Sequence, residues 1–376
     1  MLAQPPIWLI LIAFICALGP LVFFHELGHY LVARWFGVGA ETFSIGFGPE
    51  LTGWTDKRGT RWKVAALPLG GYVRFVGDEN AASVSGDMSE LTDEQKARSF
   101  QLRPVYQRFL IVLAGPVANF LLAILIFAAF FAFYGAPRTP PVIGQIEPGS
   151  AAQAAGLHPG DRIVSIGGRE MQTFEEIRNY VFIRPNETLH LQVERDNRVQ
   201  NVDVTVKTAE EVDRFGQRFK RGLLGIAPAG VTWERLDPLE VLPAAVGYTV
   251  DITRTTLDAL WQMITGRRSV KELGGFMKIA QVAGQQASLG AIQFISLVAL
   301  LSINLGFINL LPVPMLDGGH LLFYSIEGIR RRPVSAQAQD WAFRGGLAFI
   351  LALLIFTTVN DLGSFGLWER LGSLIG

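Results

Sequence analysis

From Ile7 to Phe24 the chain carries no charged side chain, and the next two residues are a histidine and a glutamate. A helix needs ~20 apolar residues to cross a bilayer, so this run, continued to Trp35, reads as a membrane span. That constrains the rest of the fold, because in lipid only helices and closed barrels satisfy their own backbone. Ionisable groups at such depth cost ~2.5–3.5 kcal/mol each on insertion scales and are functional by default. His25 and His29 are four residues apart, so they share one helix face and can reach one metal ion. His25-Glu26-Leu27-Gly28-His29 spells the His-Glu-x-x-His pattern of zinc peptidases, in which the glutamate is a base and not a ligand.

Only 18% of the 376 residues are charged and 50% are hydrophobic, against ~25% charged in soluble domains. Three further spans explain this: Phe109 to Tyr134, about Ala291 to Leu311, and Phe343 to Val359, the last short and with Arg344 at its edge. The formal net charge is +0, so nothing points to nucleic acid as a partner. Cys16, the single cysteine, lies in the first span and leaves no intrachain disulfide or cysteine metal cluster. The first six residues hold no lysine or arginine, so the first span is expected to be retained and not cleaved as a signal peptide.

Basic residues in short connections orient such a chain. Lys57, Arg58, Arg61, Lys63, Arg74, Lys96, Arg98 and Arg103 lie between spans one and two, and Arg330, Arg331 and Arg332 between spans three and four. The C-terminal tail has only Arg370. These connections, 37–108 and 318–341, are therefore expected in the cytoplasm, with both termini and the segment from Gly135 to Gly290 outside it.

The long outer segment reads as a small α+β domain over 136–231. Pro141 to Ile146 is a strand, Gly149-Ser150 opens a short helix ending at Gly156, and Arg162 to Ile166 is a second strand before the Gly167-Gly168 turn. A helix from Thr173 to Val181 and alternating strands Leu189–Val193 and Val202–Val206 follow. This order, and the run from Pro148 to Gly168, resemble a bacterial PDZ domain. Gly222, Leu223, Leu224, Gly225 and Ile226 then resemble its peptide-binding loop and strand, placed last as in the circularly permuted form. Such a domain captures chain ends by adding a strand to an open edge; a spacer without a ligand is the alternative. Beyond it, over 232–290, Leu239, Leu242, Val246, Val250, Leu257 and Ile264 recur at helical spacing, so an amphipathic helix is expected on the domain or on the membrane face.

The first connection alternates apolar residues with glycine over Thr42–Ile45, Gly46–Pro49, Trp62–Leu67 and Gly70–Phe75, which predicts β-hairpins. Open strands there could pair with a substrate backbone, or the sheet could be purely structural.

A catalytic zinc takes three protein ligands and keeps one position open. His25 and His29 supply two, and the third is expected from Asp317, in the run Asn309 to His320 that ends the third span. The orientation argument puts the histidines and Asp317 at the same depth. The alternative for Asp317 is a helix-end residue in a Leu-Asp-Gly-Gly turn. Pro312 and Pro314 break the helix there and leave backbone groups to be satisfied around a cavity. Glu26 would take a proton from the attacking water and pass it to the leaving amine. The Asn309 amide could hold the substrate backbone or a developing oxyanion, or serve as an interhelical hydrogen bond. His320 is expected to be structural, and His158 and His190 to play no catalytic part.

These residues together resemble the site-2 protease family of intramembrane zinc metalloproteases, in particular the bacterial regulator of sigma-E protease group. The resemblance is carried by His25–His29, Gly46–Pro49, Leu113-Ala114-Gly115-Pro116-Val117-Ala118-Asn119-Phe120 and Asn309–His320. It implies Zn2+ on His25, His29 and Asp317, Glu26 as catalytic base, and Asn309 in substrate binding. It also implies a membrane-associated β-hairpin, with Gly70, Gly71, Tyr72 and Val73, that presents the substrate. Substrates would be single-span proteins already trimmed by another protease, such as anti-sigma factors, and remnant signal peptides. The expected fold is a polytopic α-helical membrane protein of four transmembrane helices in a bacterial inner membrane, with a cytoplasmic-side β-hairpin and a periplasmic PDZ-like domain. A non-catalytic adaptor using that domain is the competing reading. Two features depart from the family pattern: a single PDZ-like domain where some members have two, and Gly275-Phe276 where relatives often have Gly-Pro.

Overall fold

The computed structural model describes residues 5–78, 91–212, 218–266, 270 and 274–364. The expected tail with Arg370 lies outside them. The chain forms two units, Met1–Ala128 with Ala245–Gly376, and Ala129–Ala244.

The first unit begins with helix α1 (Ile7–Trp35). Strands β1 (Ala40–Thr55) and β2 (Arg61–Phe75) follow, then a short α2 (Asp93–Arg98) with a Thr92–Gln95 capping box, then α3 (Val105–Tyr134). The two strands fold on each other twice. Phe43 has Val73 on one side and Trp62 on the other, while Trp54 also pairs with Trp62. The sheet is thus four short segments wide, with 71–75 at one edge. Its apolar face is buried: Phe43, Val73 and Phe75 pack with Tyr30 of α1 and Ile111 of α3. At the far turn, Asp56 accepts hydrogen bonds from the Tyr30 hydroxyl at 3.3 Å and the Trp62 indole at 3.1 Å, which fastens the sheet to α1.

The second unit holds β3 (Ala136–Arg138), β4 (Ile143–Ile146), α4 (Ala151–Ala154), β5 (Arg162–Ile166), β6 (Arg169–Glu170), α5 (Phe174–Phe182), β7 (Thr188–Arg195) and β8 (Arg198–Thr205). β9 (Lys207–Val212), β10 (Arg218–Leu223), β11 (Ile226–Pro228) and β12 (Thr232–Glu234) complete it. Ser150 and Thr173 cap α4 and α5 through their hydroxyls, as their positions before each helix dictate. The main sheet has the order β6-β5-β7-β8. Strict alternation in β7 sends Leu189, Leu191 and Val193 inward, where they meet Ile143, Ile163, Ile166 and Ile177. Each such burial contributes roughly 1.5–3 kcal/mol.

The chain continues as α6 (Pro238–Ile264), α7 (Phe276–Leu289), α8 (Ala291–Leu310), α9 (Asp317–Arg330) and α10 (Ala336–Ser364). Among the described residues four helices, Ile7–Trp35, Val105–Tyr134, Ala291–Leu310 and Gln337–Gly363, are long and apolar enough to cross a membrane. Two elements differ from the sequence reading. The stretch 318–341, expected as a connecting loop, contains most of α9, whose Leu321 and Tyr324 reach the buried cluster around Tyr30. The turn at Gly275-Phe276 is held without a proline: Asp361 of α10 accepts the N–H groups of Gly275 at 3.1 Å and Lys278 at 3.0 Å, capping α7 from another helix.

Candidate metal centre

His25 and His29 lie on the buried face of α1 with Glu26. Their Nε2 atoms are 3.3 Å apart, and the Asp317 Oδ2 stands 3.1 Å from the first and 3.5 Å from the second. Among the described residues these three are the group whose ligand atoms converge closely enough for a metal ion. Asp317 Oδ2 is buried without a hydrogen bond that would satisfy it, as suits an oxygen meant for a cation. Two imidazole nitrogens and one carboxylate oxygen are a donor set that zinc takes.

Several local devices bring these groups together. α8 ends at Leu310, and the extended backbone of Leu311 begins a short non-helical stretch through Pro312 and Pro314. Met315 is held at φ 81°, a region side-chain-bearing residues rarely adopt, and Asp317 follows as the first residue of α9. Gly28 and Gly115 let α1 and α3 touch: a Cβ on Gly28 would lie 2.3 Å from the Ala114 carbonyl oxygen, and one on Gly115 would lie 2.2 Å from His29 Nε2. Pro116 deprives the Val112 carbonyl of its helical donor, and in the same turn the Ile111 carbonyl accepts the His29 Nδ1–H at 2.8 Å. That bond fixes His29 with Nε2 toward the centre.

The sequence-predicted residues fall as follows. Glu26 is buried between the histidines and β2, where the Val73 N–H donates to its carboxylate. Gly71 makes that approach possible, since a Cβ there would meet Val22 Cγ1 and the Ser44 oxygen, each at 2.6 Å. The Asn309 amide nitrogen is 3.4 Å from His25 Nε2, facing the same point. His320 does not join the convergent group; its ring lies against Phe343 at 5.2 Å and Tyr324 at 6.3 Å. In the second unit, Gly222 and Leu223 end β10 and Ile226 begins β11, while the carbonyls of Leu224 and Gly225 accept the N–H groups of Ala152 and Glu147. A Cβ on Gly222 would lie 2.1 Å from the Val181 oxygen of α5. Sequence reasoning assigned no role to Asn119 or Gly115; an amide in the middle of an otherwise apolar span was the available signal for the first.

A carboxylate and two histidines on a helix long enough to cross a membrane, with an aspartate converging on them, make up the residue set of a membrane metallopeptidase. The chain belongs to peptidase family M50, whose model matches residues 13–353, and it is a multi-pass membrane protein. A protein of Agrobacterium fabrum named as a candidate zinc metalloprotease is 45% identical over 360 residues, which cover 94% of this chain and 96% of that one. Metalloprotease MmpA of Caulobacter vibrioides is 39% identical over 391 residues, 97% and 98% of the two chains. Among solved structures, the PDZ domain of an SdrC-like protein from Listeria monocytogenes is 18% identical with a TM-score of 0.20, covering 25% of this chain and 90% of that one.

Proposed function

We propose that the chain is a zinc endopeptidase that cuts its substrates within the bilayer, with His25, His29 and Asp317 as the metal ligands and Glu26 as the base. The observation that carries this reading is the meeting of α1 and the start of α9 at one point, with a buried glutamate alongside. Bound there, zinc would supply Lewis acidity toward water and toward a substrate carbonyl. Glu26 takes the proton of the attacking water and delivers it to the leaving amine, and the Val73 N–H keeps its carboxylate aimed. The Asn309 amide donates toward the substrate carbonyl. A substrate helix hides its carbonyls in its own hydrogen bonds, so it must unwind before attack. Among the described residues no strand pairs with the outer edge of 71–75, and an unwound segment laid there by strand addition would lie beside Glu26.

The basic residues of the two short connections support an active centre toward the cytoplasm of a bacterial inner membrane, with termini and second unit on the other side. Single-span substrates trimmed beforehand by another protease fit a centre so enclosed. The element order of the second unit supports a PDZ-like module, with Gly222 to Ile226 as its ligand strand.

The test is cleavage of a model single-span substrate by purified protein. Glu26→Gln should reduce the rate by at least about a thousandfold with zinc still bound, and Asp317→Ala should lose zinc. Retained cleavage in the glutamine variant removes Glu26 from its role. A parent protein that binds no zinc favours the adaptor.

A further inference from the structure

We infer that Asn119 is the positioning residue for His25, accepting the proton that the ring must carry on Nδ1 when Nε2 faces a metal. Asn119 sits in α3, fully buried, with its amide nitrogen 3.1 Å from His25 Nδ1. A neutral imidazole has one protonated nitrogen and one lone pair. His29 spends its proton on the Ile111 carbonyl and so presents Nε2. His25 has no backbone carbonyl in that position among the described contacts; it has an amide. The oxygen and nitrogen of that amide occupy equivalent places, and Oδ1 is buried with no partner of its own. No bond to the oxygen therefore holds the amide in one orientation. Turned by half a revolution, the bare oxygen takes the Nδ1–H and leaves the Nε2 lone pair for the metal. An asparagine thus serves either tautomer, where a leucine would serve neither. The backbone of the same residue is held separately, its carbonyl accepting the Ser302 hydroxyl at 2.7 Å, so side-chain and packing roles can be parted.

The inference rests on the metal reading above, and the experiment tells the two apart. Zinc affinity of the full-length protein in detergent is measured by competition with a chromophoric chelator. Asn119→Leu should weaken zinc binding by about 10–100-fold, the usual effect of losing such a partner. Asn119→Asp, which can only accept, should stay within about threefold of the parent. Ser302→Ala should leave affinity unchanged, and cobalt loaded in place of zinc should show a shifted visible spectrum in the leucine variant alone. Parental affinity in Asn119→Leu overturns the inference, as does an equal loss in Asn119→Leu and Ser302→Ala. If the leucine variant fails to fold, a tenfold loss in a folded Asn119→Asp still overturns it. A parent that binds no zinc overturns both this inference and the reading beneath it.

Discussion

The centre tolerates almost no added volume. Gly115 faces His29 so closely that a methyl group would overlap the ring, and the ring is tethered on its other side to the Ile111 carbonyl. Gly115→Ala must therefore either break that tether or part α1 from α3. Misplacement of about 1 Å costs on the order of a hundredfold in rate, so the variant should be slowed by that much and should lose zinc more readily on dialysis. Full zinc content with parental turnover would refute the contact. His25-Glu26-x-x-His29 was legible because two spaced histidines and a glutamate in an apolar run leave only a chance match as the bland explanation. Gly115 was not, because a glycine's role lies in the atom it lacks, and sequence does not say what it faces.

At the scale of elements, β2 and α7 are each docked by a specific device. Gly71→Val would push β2 off α1 and withdraw the Val73 N–H from Glu26. The expected result is a roughly tenfold or greater fall in kcat with unchanged zinc content, since the ligands sit on other elements. Loss of zinc would show that the strand supports the whole centre. Asp361→Ala removes the acceptor for two backbone N–H groups at the start of α7. Such a cap contributes ~0.5–2 kcal/mol, so amides of 276–289 should exchange faster with deuterium. The spans and α6 could be read from apolar runs and helical spacing. α9 and the Asp361 cap could not, because the cap joins residues 86 apart in sequence, and α9 follows a break at Pro312 and Pro314 and buries Leu321 and Tyr324 in a cluster of residues distant in sequence. The Gly-Gly turns and alternating strands of the second unit were legible for the opposite reason, as each depends on neighbours in sequence.

For the molecule as a whole, the two units have separate cores and should lose structure separately. The second is pinned by Asp161, whose side chain is 1% exposed and accepts both Arg195 Nε and Nη2 at 2.7 Å. Burial alone would raise its pKa; the guanidinium and the His158 N–H outweigh that and hold it below the ordinary carboxylate value. The ionised form is thus favoured in the folded state. Its contribution is complete above the ordinary value of ~3.9 and fades as pH falls through the lower folded value. Asp161→Asn should lower the melting temperature of this unit at pH 7, by the ~1.5–3 kcal/mol that hydrogen bonds to charged groups carry. The gap between variant and parent should close in melts recorded at progressively lower pH, and a gap independent of pH would deny the pairing its role. Zinc binding in the other unit should not change. The first unit has a consequence in time as well as in space. His25 and Asn309 meet across 284 residues of chain, with Asp317 later still. The ribosome must deliver at least 317 residues before the proposed third ligand exists. On the proposed ligand set, a nascent chain enters the membrane with its cutting edge still unassembled, and the order of synthesis would spare neighbouring unfolded spans until Asp317 arrives.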